Sequence, residues 1–457
     1  MKSILFTLED SPAKYKQIYE RFKSLIEQGE LRVNEQLPSI RQLAECLHVS
    51  RNTTLTAYEQ LTAEGYINGK GRKGYFVNEL EPQLFSRETP VIPPKPPQPT
   101  YTVDFKAGAV DQANFPLKAW RKLSNAVLTS NNAFHYGQPF GEICLREQIA
   151  TYLLESRGVK TDPHAIIIGS STQQMLIHLG QLLKKNFQSI IVEDPGFDGA
   201  REAFLFHQFA LETLSVNENG ADFSQLQTMK SQLIYVTPSH QSPIGVSMTI
   251  QERQKLIQWV NEQNGYIIED DYDSEFRYTQ RPFPALASID ATKVIYLGNF
   301  SKSFLPGIRL SYMALPKELL ARYEQQFQHF ESTASLLSQL TMAKFMEEGE
   351  WNRHIKRMRL VYKRKMQCLV SALQKQFNEH ISIIGQQSGL YVLVKLYNNH
   401  SEEWFIKQAA HYGVKVYPTS LYFINNRPAE PLIKLGFSHL SCEEIILGVK
   451  LLKKAWL

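Results

Sequence analysis

Lys302 lies in Gly298-Asn-Phe-Ser-Lys-Ser-Phe-Leu-Pro-Gly-Ile-Arg309, directly after the apolar run Val294-Ile-Tyr-Leu297. A lysine on a tight turn at a strand end is a candidate for Schiff-base formation with a carbonyl group. Seven positions further on, Arg309 offers a planar fork suited to a phosphate. Ile267-Ile-Glu-Asp-Asp-Tyr-Asp-Ser-Glu-Phe276 ends another buried-strand pattern in acids. One of these carboxylates can pair with a cationic ring nitrogen, and Tyr272 can reach a phenolic oxygen. A calcium loop is the competing reading, but the glycine it needs at its sharp turn is absent. Gly169-Ser-Ser-Thr-Gln-Gln174 stands between a strand and a helix and offers hydroxyls and helix-start amides to a phosphate. Glu193-Asp-Pro-Gly-Phe197 presents an aromatic ring after a further strand. A lysine, an acid for a ring nitrogen, an aromatic face and phosphate anchors are what pyridoxal phosphate (PLP) requires.

A second set of residues, near the start of the chain, points to duplex DNA. Ser39-Ile-Arg-Gln-Leu-Ala-Glu-Cys-Leu47 and Ser50-Arg-Asn-Thr-Thr-Leu-Thr-Ala-Tyr-Glu-Gln-Leu61 each open with a serine able to cap a helix, and only His48 and Val49 separate them. That is helix-turn-helix spacing. Ser50, Arg51, Asn52, Thr53 and Thr54 supply short polar groups for base edges and a cation for phosphate, while Ser39 and Arg41 at the start of the first helix face the DNA backbone. Two short strand-like pieces follow, joined by a glycine-rich tip carrying Lys70, Arg72 and Lys73, which reads as a basic wing. The tip spells G-x-G-x-x-G at Gly69, Gly71 and Gly74, but a strand follows where dinucleotide binding needs a helix.

These two sets must be held by separate bodies. The chain has 457 residues, 43% of them hydrophobic, more than one core usually organises. Thr89-Pro-Val-Ile-Pro-Pro-Lys-Pro-Pro-Gln-Pro99 is too proline-rich for a helix or central strand and reads as an extended spacer. At roughly 3.1 Å per residue, about 20 such residues span up to about 60 Å, far enough to reach another subunit. The expected division is 1–78 for DNA binding, 79–103 for the linker and 104–457 for the cofactor domain. Downstream, the runs Ala165-Ile-Ile-Ile168, Ser189-Ile-Ile-Val192, Leu233-Ile-Tyr-Val236, Tyr266-Ile-Ile268 and Val294–Leu297 alternate with helical stretches. This is an α/β pattern with a mostly parallel sheet, whose ligands bind at the carboxyl ends of the strands. The net charge of +5 permits a polyanionic partner without demanding one. The four cysteines lack the spacing of a zinc site or disulfide framework, so a reducing compartment and no metal are expected. No run approaches the roughly 20 apolar residues of a membrane span and no signal peptide is evident, so a cytoplasmic protein without membrane partners is expected.

Residues 15–77 resemble the winged helix of GntR-type regulators through Leu37-Pro-Ser-Ile-Arg-Gln-Leu-Ala44, Val49-Ser-Arg-Asn-Thr53, Glu64-Gly-Tyr66 and Gly74-Tyr-Phe-Val77. Thr54 departs from the valine usual in that family. From Asp104 to the end, the ordered motifs are similar to fold-type I aminotransferases, with a large sheet domain and a smaller C-terminal α+β subdomain. That likeness implies covalent attachment at Lys302, ring-nitrogen pairing by Asp270, an oxygen contact by Tyr272 and stacking by Phe197. It also implies phosphate contacts by Ser171, Thr172, Ser301 and Arg309, and by Tyr136 to the neighbouring subunit's phosphate. Asn299 stands where a threonine or serine commonly helps hold phosphate, and Lys434 where aminotransferases carry the carboxylate-binding arginine. Asp198 and Gly199 stand where a regulator sensing gamma-aminobutyrate would bring an arginine, which disfavours that effector. Together the two parts look like the MocR/GabR type of bacterial regulator. The resemblance implies a head-to-tail homodimer that binds a DNA operator and senses an amino acid, an amine or PLP itself, without net turnover. A working aminotransferase carrying an autoregulatory DNA-binding domain is the alternative.

Overall fold

The computed structural model of the chain describes residues 6–9, 11–80, 100–130, 134–278, 283–425 and 427–457. Most of the expected linker, residues 81–99, lies outside them. The chain divides into two compact units, Met1–Pro97 and Gln98–Leu457.

In the first unit, α1 (Lys14–Glu27), α2 (Ile40–Cys46) and α3 (Arg51–Ala63) precede a hairpin of β1 (Ile67–Gly69) and β2 (Tyr75–Val77). Apolar residues three and four apart give each helix one buried stripe: Ile18, Phe22 and Leu25 from α1 meet Leu43 from α2 and Ala57, Tyr58 and Leu61 from α3. Ser39 and Ser50 cap α2 and α3, accepting from the backbone N–H of Gln42 at 3.2 Å and of Thr53 at 3.1 Å. Thr54 corrects the sequence reading. It lies on the same face as Ala57, Tyr58 and Leu61, is fully buried, and is therefore a core residue rather than a DNA contact.

The second unit is built on an eight-stranded sheet. Its strands follow β3 (Val103–Asp104) and are β4 (Ile166–Gly169), β5 (Ser189–Asp194), β6 (Ala210–Asn217), β7 (Gly220–Ala221), β8 (Leu233–Val236), β9 (Tyr266–Asp270), β10 (Val294–Asn299) and β11 (Ser311–Ala314). The spatial order is β4-β11-β10-β9-β8-β5-β6-β7. Strands β10, β9, β8, β5 and β6 are mutually parallel. Strand β11 runs antiparallel to both β10 and β4, which turns β4 back into the common direction. All five runs expected from the sequence are strands. Along them, alternate residues enter opposite cores: Ile166 and Ile168 one, Ile167 the other; Ile234 and Val236 one, Leu233 and Tyr235 the other. Burial on both faces is why these strands read as continuous apolar runs.

The smaller subdomain is an antiparallel sheet, in the order β12-β13-β16-β15, of β12 (Ile381–Ile384), β13 (Tyr391–Leu396), β15 (Tyr417–Pro418) and β16 (Leu432–Gly436). Helices Glu350–Phe377 and Cys442–Trp456 pack on it through Met358, Leu369, Val449 and Leu452. Strand β14 (Val414–Lys415) pairs in parallel with β3, so the opening of the second unit is stitched to its C-terminal subdomain.

Candidate functional site

The acidic run after β9 sorts its carboxylates by partner. Backbone alternation sends Glu269 one way, where it accepts the N–H groups of Leu286 and Ala287, both at 2.9 Å, and sends Asp270 the other. Asp271 forms a buried ion pair with Arg157 at 2.7 Å and accepts from Tyr296, and these partners hold its carboxyl below the ordinary range. Asp273 meets His240 at 2.8 Å, and Glu275 accepts from Tyr152 at 3.0 Å. Asp270 lines an open cavity with neither a cation nor a histidine bonded to it among the described residues. Its Oδ2 accepts from the Tyr235 hydroxyl at 2.6 Å, whereas its Oδ1 is buried without a partner. Burial raises its pKa to about 7, with the nearby Asp271 and Asp273 adding to the rise and Tyr235 opposing it.

A cavity of about 460 Å³ opens at the carboxyl ends of β4, β9 and β10, and is lined by Lys302, Asp270, Tyr272, Phe197, Ser171, Thr172, Ser301, Asn299, Arg309 and Lys434. It therefore brings together ten of the residues singled out from the sequence. Burial lowers the Lys302 pKa, favouring the neutral, nucleophilic amine, while Asp273 and Asp270 oppose the shift. Gly108 gives this amine its room: at φ +87°, a Cβ there would stand 2.1 Å from Lys302 Nζ. At the phosphate end, Ser171 caps helix Thr172–Leu183, accepting from the Gln174 N–H at 3.1 Å. Asn299 accepts the Ser301 N–H at 3.1 Å through its oxygen, which leaves its amide N–H groups as donors. Arg309 sits in the left-handed region at φ 53°, where the chain turns from the Lys302 loop into β11.

Lys434, on β16, is buried over the rings of Tyr391 and Tyr422, at 4.0 and 4.7 Å, and donates to the Tyr422 hydroxyl at 3.2 Å. Among the described residues no carboxylate pairs with it. Burial, with Lys302 nearby, pushes its pKa down to about 7. Tyr136 lies outside this cavity and is 92% exposed. Tyr235, Tyr391 and Tyr422 join the site solely through tertiary packing, whereas Asp273 stands in the acidic run and His240 and Gly108 in the motifs Thr237-Pro-Ser-His-Gln241 and Asp104-Phe-Lys-Ala-Gly108, to which the sequence assigns no individual role.

In the first unit, Arg51 and Asn52 are exposed on the opening turn of α3, and Thr53 is half-buried. Ser39 and Ser50 are exposed, but their hydroxyls are engaged in capping. Arg41 pairs with Glu45 at 2.9 Å, both largely in solvent. Lys70 lies over the Phe76 ring at 4.9 Å, and Lys73 ends the turn Gly71–Lys73 at the wing tip, where Arg72 also sits.

Comparison with known proteins places this geometry. Residues 101–443 match the family described as "Aminotransferase class I and II", and residues 14–77 match "Bacterial regulatory proteins, gntR family". The chain belongs to the aminotransferase class I and II family. It is a MocR-type transcriptional regulator, in which a GntR DNA-binding domain is joined to an aminotransferase-like domain. It is 39% identical to the "Uncharacterized HTH-type transcriptional regulator YdeL" of Bacillus subtilis (strain 168), across 97% of this chain and 96% of that one. It is 29% identical to the "Probable rhizopine catabolism regulatory protein MocR" of Rhizobium meliloti, across 97% and 94%. Among solved structures it is similar to LysN, an alpha-aminoadipate aminotransferase of Thermus thermophilus complexed with N-(5'-phosphopyridoxyl)-L-leucine. That match has a TM-score of 0.71 and 26% identity, covering 77% of this chain and 91% of that one. The MocR-type assignment accounts for both halves of the molecule, a DNA reader and a cofactor-type cavity. Among the described residues, no helix is long and apolar enough to cross a membrane.

Proposed function

We propose that this regulator binds PLP at Lys302 and uses the same cavity to sense an amino acid, an amine or PLP itself, changing how a homodimer engages its operator. The observation that carries this reading is the unpartnered Oδ1 of Asp270, a carboxylate that lines the same cavity as Lys302. A buried carboxylate oxygen without a donor costs free energy, and a protonated ring nitrogen supplies the missing partner and draws the carboxyl back to its ionised form. Phe197 covers a ring face, Tyr272 is placed toward a phenolic oxygen, and Ser171, Thr172, Ser301, Asn299 and Arg309 gather at the phosphate end. Gly199 keeps Phe197 free to lie there, since a Cβ at 199 would stand 2.5 Å from its ring.

When bound, PLP supplies an aldehyde that condenses with primary amines. The chain's part is to present a Lys302 amine whose neutral form burial favours and to hold the ring through Asp270 and Tyr272. An effector that prefers one subunit arrangement then shifts the population of DNA-binding geometries. In a head-to-tail dimer, Tyr136, exposed in the single chain, completes the neighbouring subunit's phosphate site. Lys434 is the effector-side cation; as a lysine it binds a carboxylate without the two-pronged contact an arginine makes. A cytoplasmic location and the absence of net turnover belong to the same reading. Lys302 and Asp270 both being in place keeps an active aminotransferase as the second reading.

Borohydride reduction of the PLP-loaded chain followed by peptide mass mapping tests the reading. A phosphopyridoxyl adduct on Lys302 is expected, and an unmodified Lys302 with no retained PLP would reduce the second unit to a scaffold.

A further inference from the structure

Asp273, which lines the cavity, and His240 behind it form a pair that none of the roles above uses. His240 and Asp273 are both buried, 1% and 3% exposed, and His240 Nδ1 lies 2.8 Å from Asp273 Oδ2 and 3.0 Å from the Tyr272 hydroxyl. The ring is built in. A Cβ at Gly389 would stand 1.9 Å from His240 Cε1, and one at Gly245 would stand 3.1 Å from Nε2, so glycines from two loops clear its space. Both hold positive φ, +79° and +81°. The Gly389 loop is itself pinned to the acidic strand end, because the Gly389 N–H donates to Phe276 O at 2.8 Å and Tyr278 donates to Gly389 O at 2.6 Å.

The hydrogen-bond inventory then fixes a direction. Nδ1 has one in-plane position, which holds either a proton or a lone pair. A carboxylate at 2.8 Å accepts only, so Nδ1 must carry the proton and donate to Asp273. With no lone pair left on Nδ1, the Tyr272 hydroxyl cannot donate to it. Its proton turns instead to the cavity, or to Tyr391 Oη at 3.4 Å.

We infer that His240 and Asp273 are positioning residues that lock Tyr272 as a hydrogen-bond donor into the cavity, aimed at the phenolic oxygen of the ring held there. The inference rests on the PLP reading above. Asp273 sets the histidine tautomer, His240 Nδ1 is thereby closed to the Tyr272 proton, which leaves the cavity and the longer contact to Tyr391 as its outlets, and the glycine-cleared seam keeps all three in register. A donor to that oxygen stabilises its deprotonated form, so losing the donor raises the pH at which the loaded protein's visible absorbance titrates.

The test is a pH titration of visible absorbance on the full-length PLP-loaded chain, for wild type, Tyr272→Phe, His240→Phe, His240→Asn and the Tyr272→Phe/His240→Phe double variant. Tyr272→Phe is expected to raise the midpoint by about one pH unit, the worth of one hydrogen bond. His240→Phe strips Asp273 of its Nδ1–H donor and frees that carboxylate to draw the nearby Tyr272 proton away from the cavity, so it should raise the midpoint by a similar amount, and the double variant no further, because the histidine acts only through the tyrosine. His240→Asn, which keeps an N–H, should fall between His240→Phe and wild type, and it carries the comparison if His240→Phe does not fold. A His240 variant that binds PLP but keeps the wild-type midpoint, or a double variant whose shift is the sum of the singles, overturns the inference alone. A chain that shows no PLP-dependent visible band overturns the PLP reading and the inference with it.

Discussion

Thr54 in the DNA reader and Asp270 in the cofactor domain are both buried polar residues, each with a side-chain oxygen that lacks a partner, and the contrast between them separates a finished surface from a waiting pocket. Thr54 packs among Ala57, Tyr58 and Leu61, where nothing opens onto it, and its hydroxyl is a small tolerated cost. Asp270 faces a cavity of about 460 Å³ shared with Lys302, whose pKa burial lowers. Elsewhere in the reader, capping serves Ser39 and Ser50, and the buried Tyr58 and Tyr19 hydroxyls donate to Pro38 O and to Glu64. The second unit holds charge and unmet hydrogen bonds in its interior, an arrangement that a ligand stabilises.

Asp270→Ala attacks the pocket side of this contrast most strongly. Removing one member of a buried charge pair typically costs about 2–5 kcal/mol, so PLP affinity in equilibrium titration should fall by roughly two to three orders of magnitude while DNA affinity stays unchanged. On the reader side, Arg51→Ala or Asn52→Ala should weaken binding to an operator selected from a random duplex library by roughly ten- to a hundredfold, leaving PLP uptake intact. Thr54→Val sharpens the comparison: mobility-shift assays should give wild-type DNA affinity, and thermal melting an equal or higher midpoint, since a buried hydroxyl is exchanged for a methyl of the same shape. A large loss of DNA binding there would return Thr54 to the interface.

The pocket's second cation gives a smaller, pH-dependent effect. Lys434, with its pKa pushed down to about 7, is charged below that pH and neutral above it. Calorimetric affinity for a carboxylate lacking an amine should therefore rise as pH falls through 7 and weaken by up to about tenfold per unit above it. Lys434→Arg should flatten that dependence. The smallest effect belongs to Arg41, which already pairs with Glu45 in solvent. Arg41→Ala should change operator affinity by no more than about fivefold, the worth of one exposed charge contact.

Much of this was legible in the chain because it is local. The five apolar runs became strands since burial on both faces demands unbroken hydrophobic sequence, and Ser39 and Ser50 cap the helices their positions mark. Strand β6, Ala210-Leu-Glu-Thr-Leu-Ser-Val-Asn217, escaped notice because polar residues interrupt it near the sheet edge, and β11 because it is only four residues beyond the Arg309 turn. Choosing Asp270 from its acidic neighbours needed the family likeness. Strand alternation separates it from Glu269, but Asp271 and Asp273 are excluded only by Arg157 and His240, which arrive from distant parts of the chain. Thr54 was misplaced because its polarity and first-turn position outweighed its i, i+3, i+4 relation to Ala57 and Tyr58.

If the cavity around Lys302 governs the reader's engagement with DNA, its occupancy must change operator affinity. The direct test is to measure operator affinity with and without PLP, and with PLP plus each of a panel of amino acids and amines, for wild type and Lys302→Ala. Wild-type affinity should shift about 5- to 150-fold with PLP or one of these amines, the usual range of coupling between sites, and Lys302→Ala should bind DNA but no longer respond. An unchanged response in Lys302→Ala would contradict it.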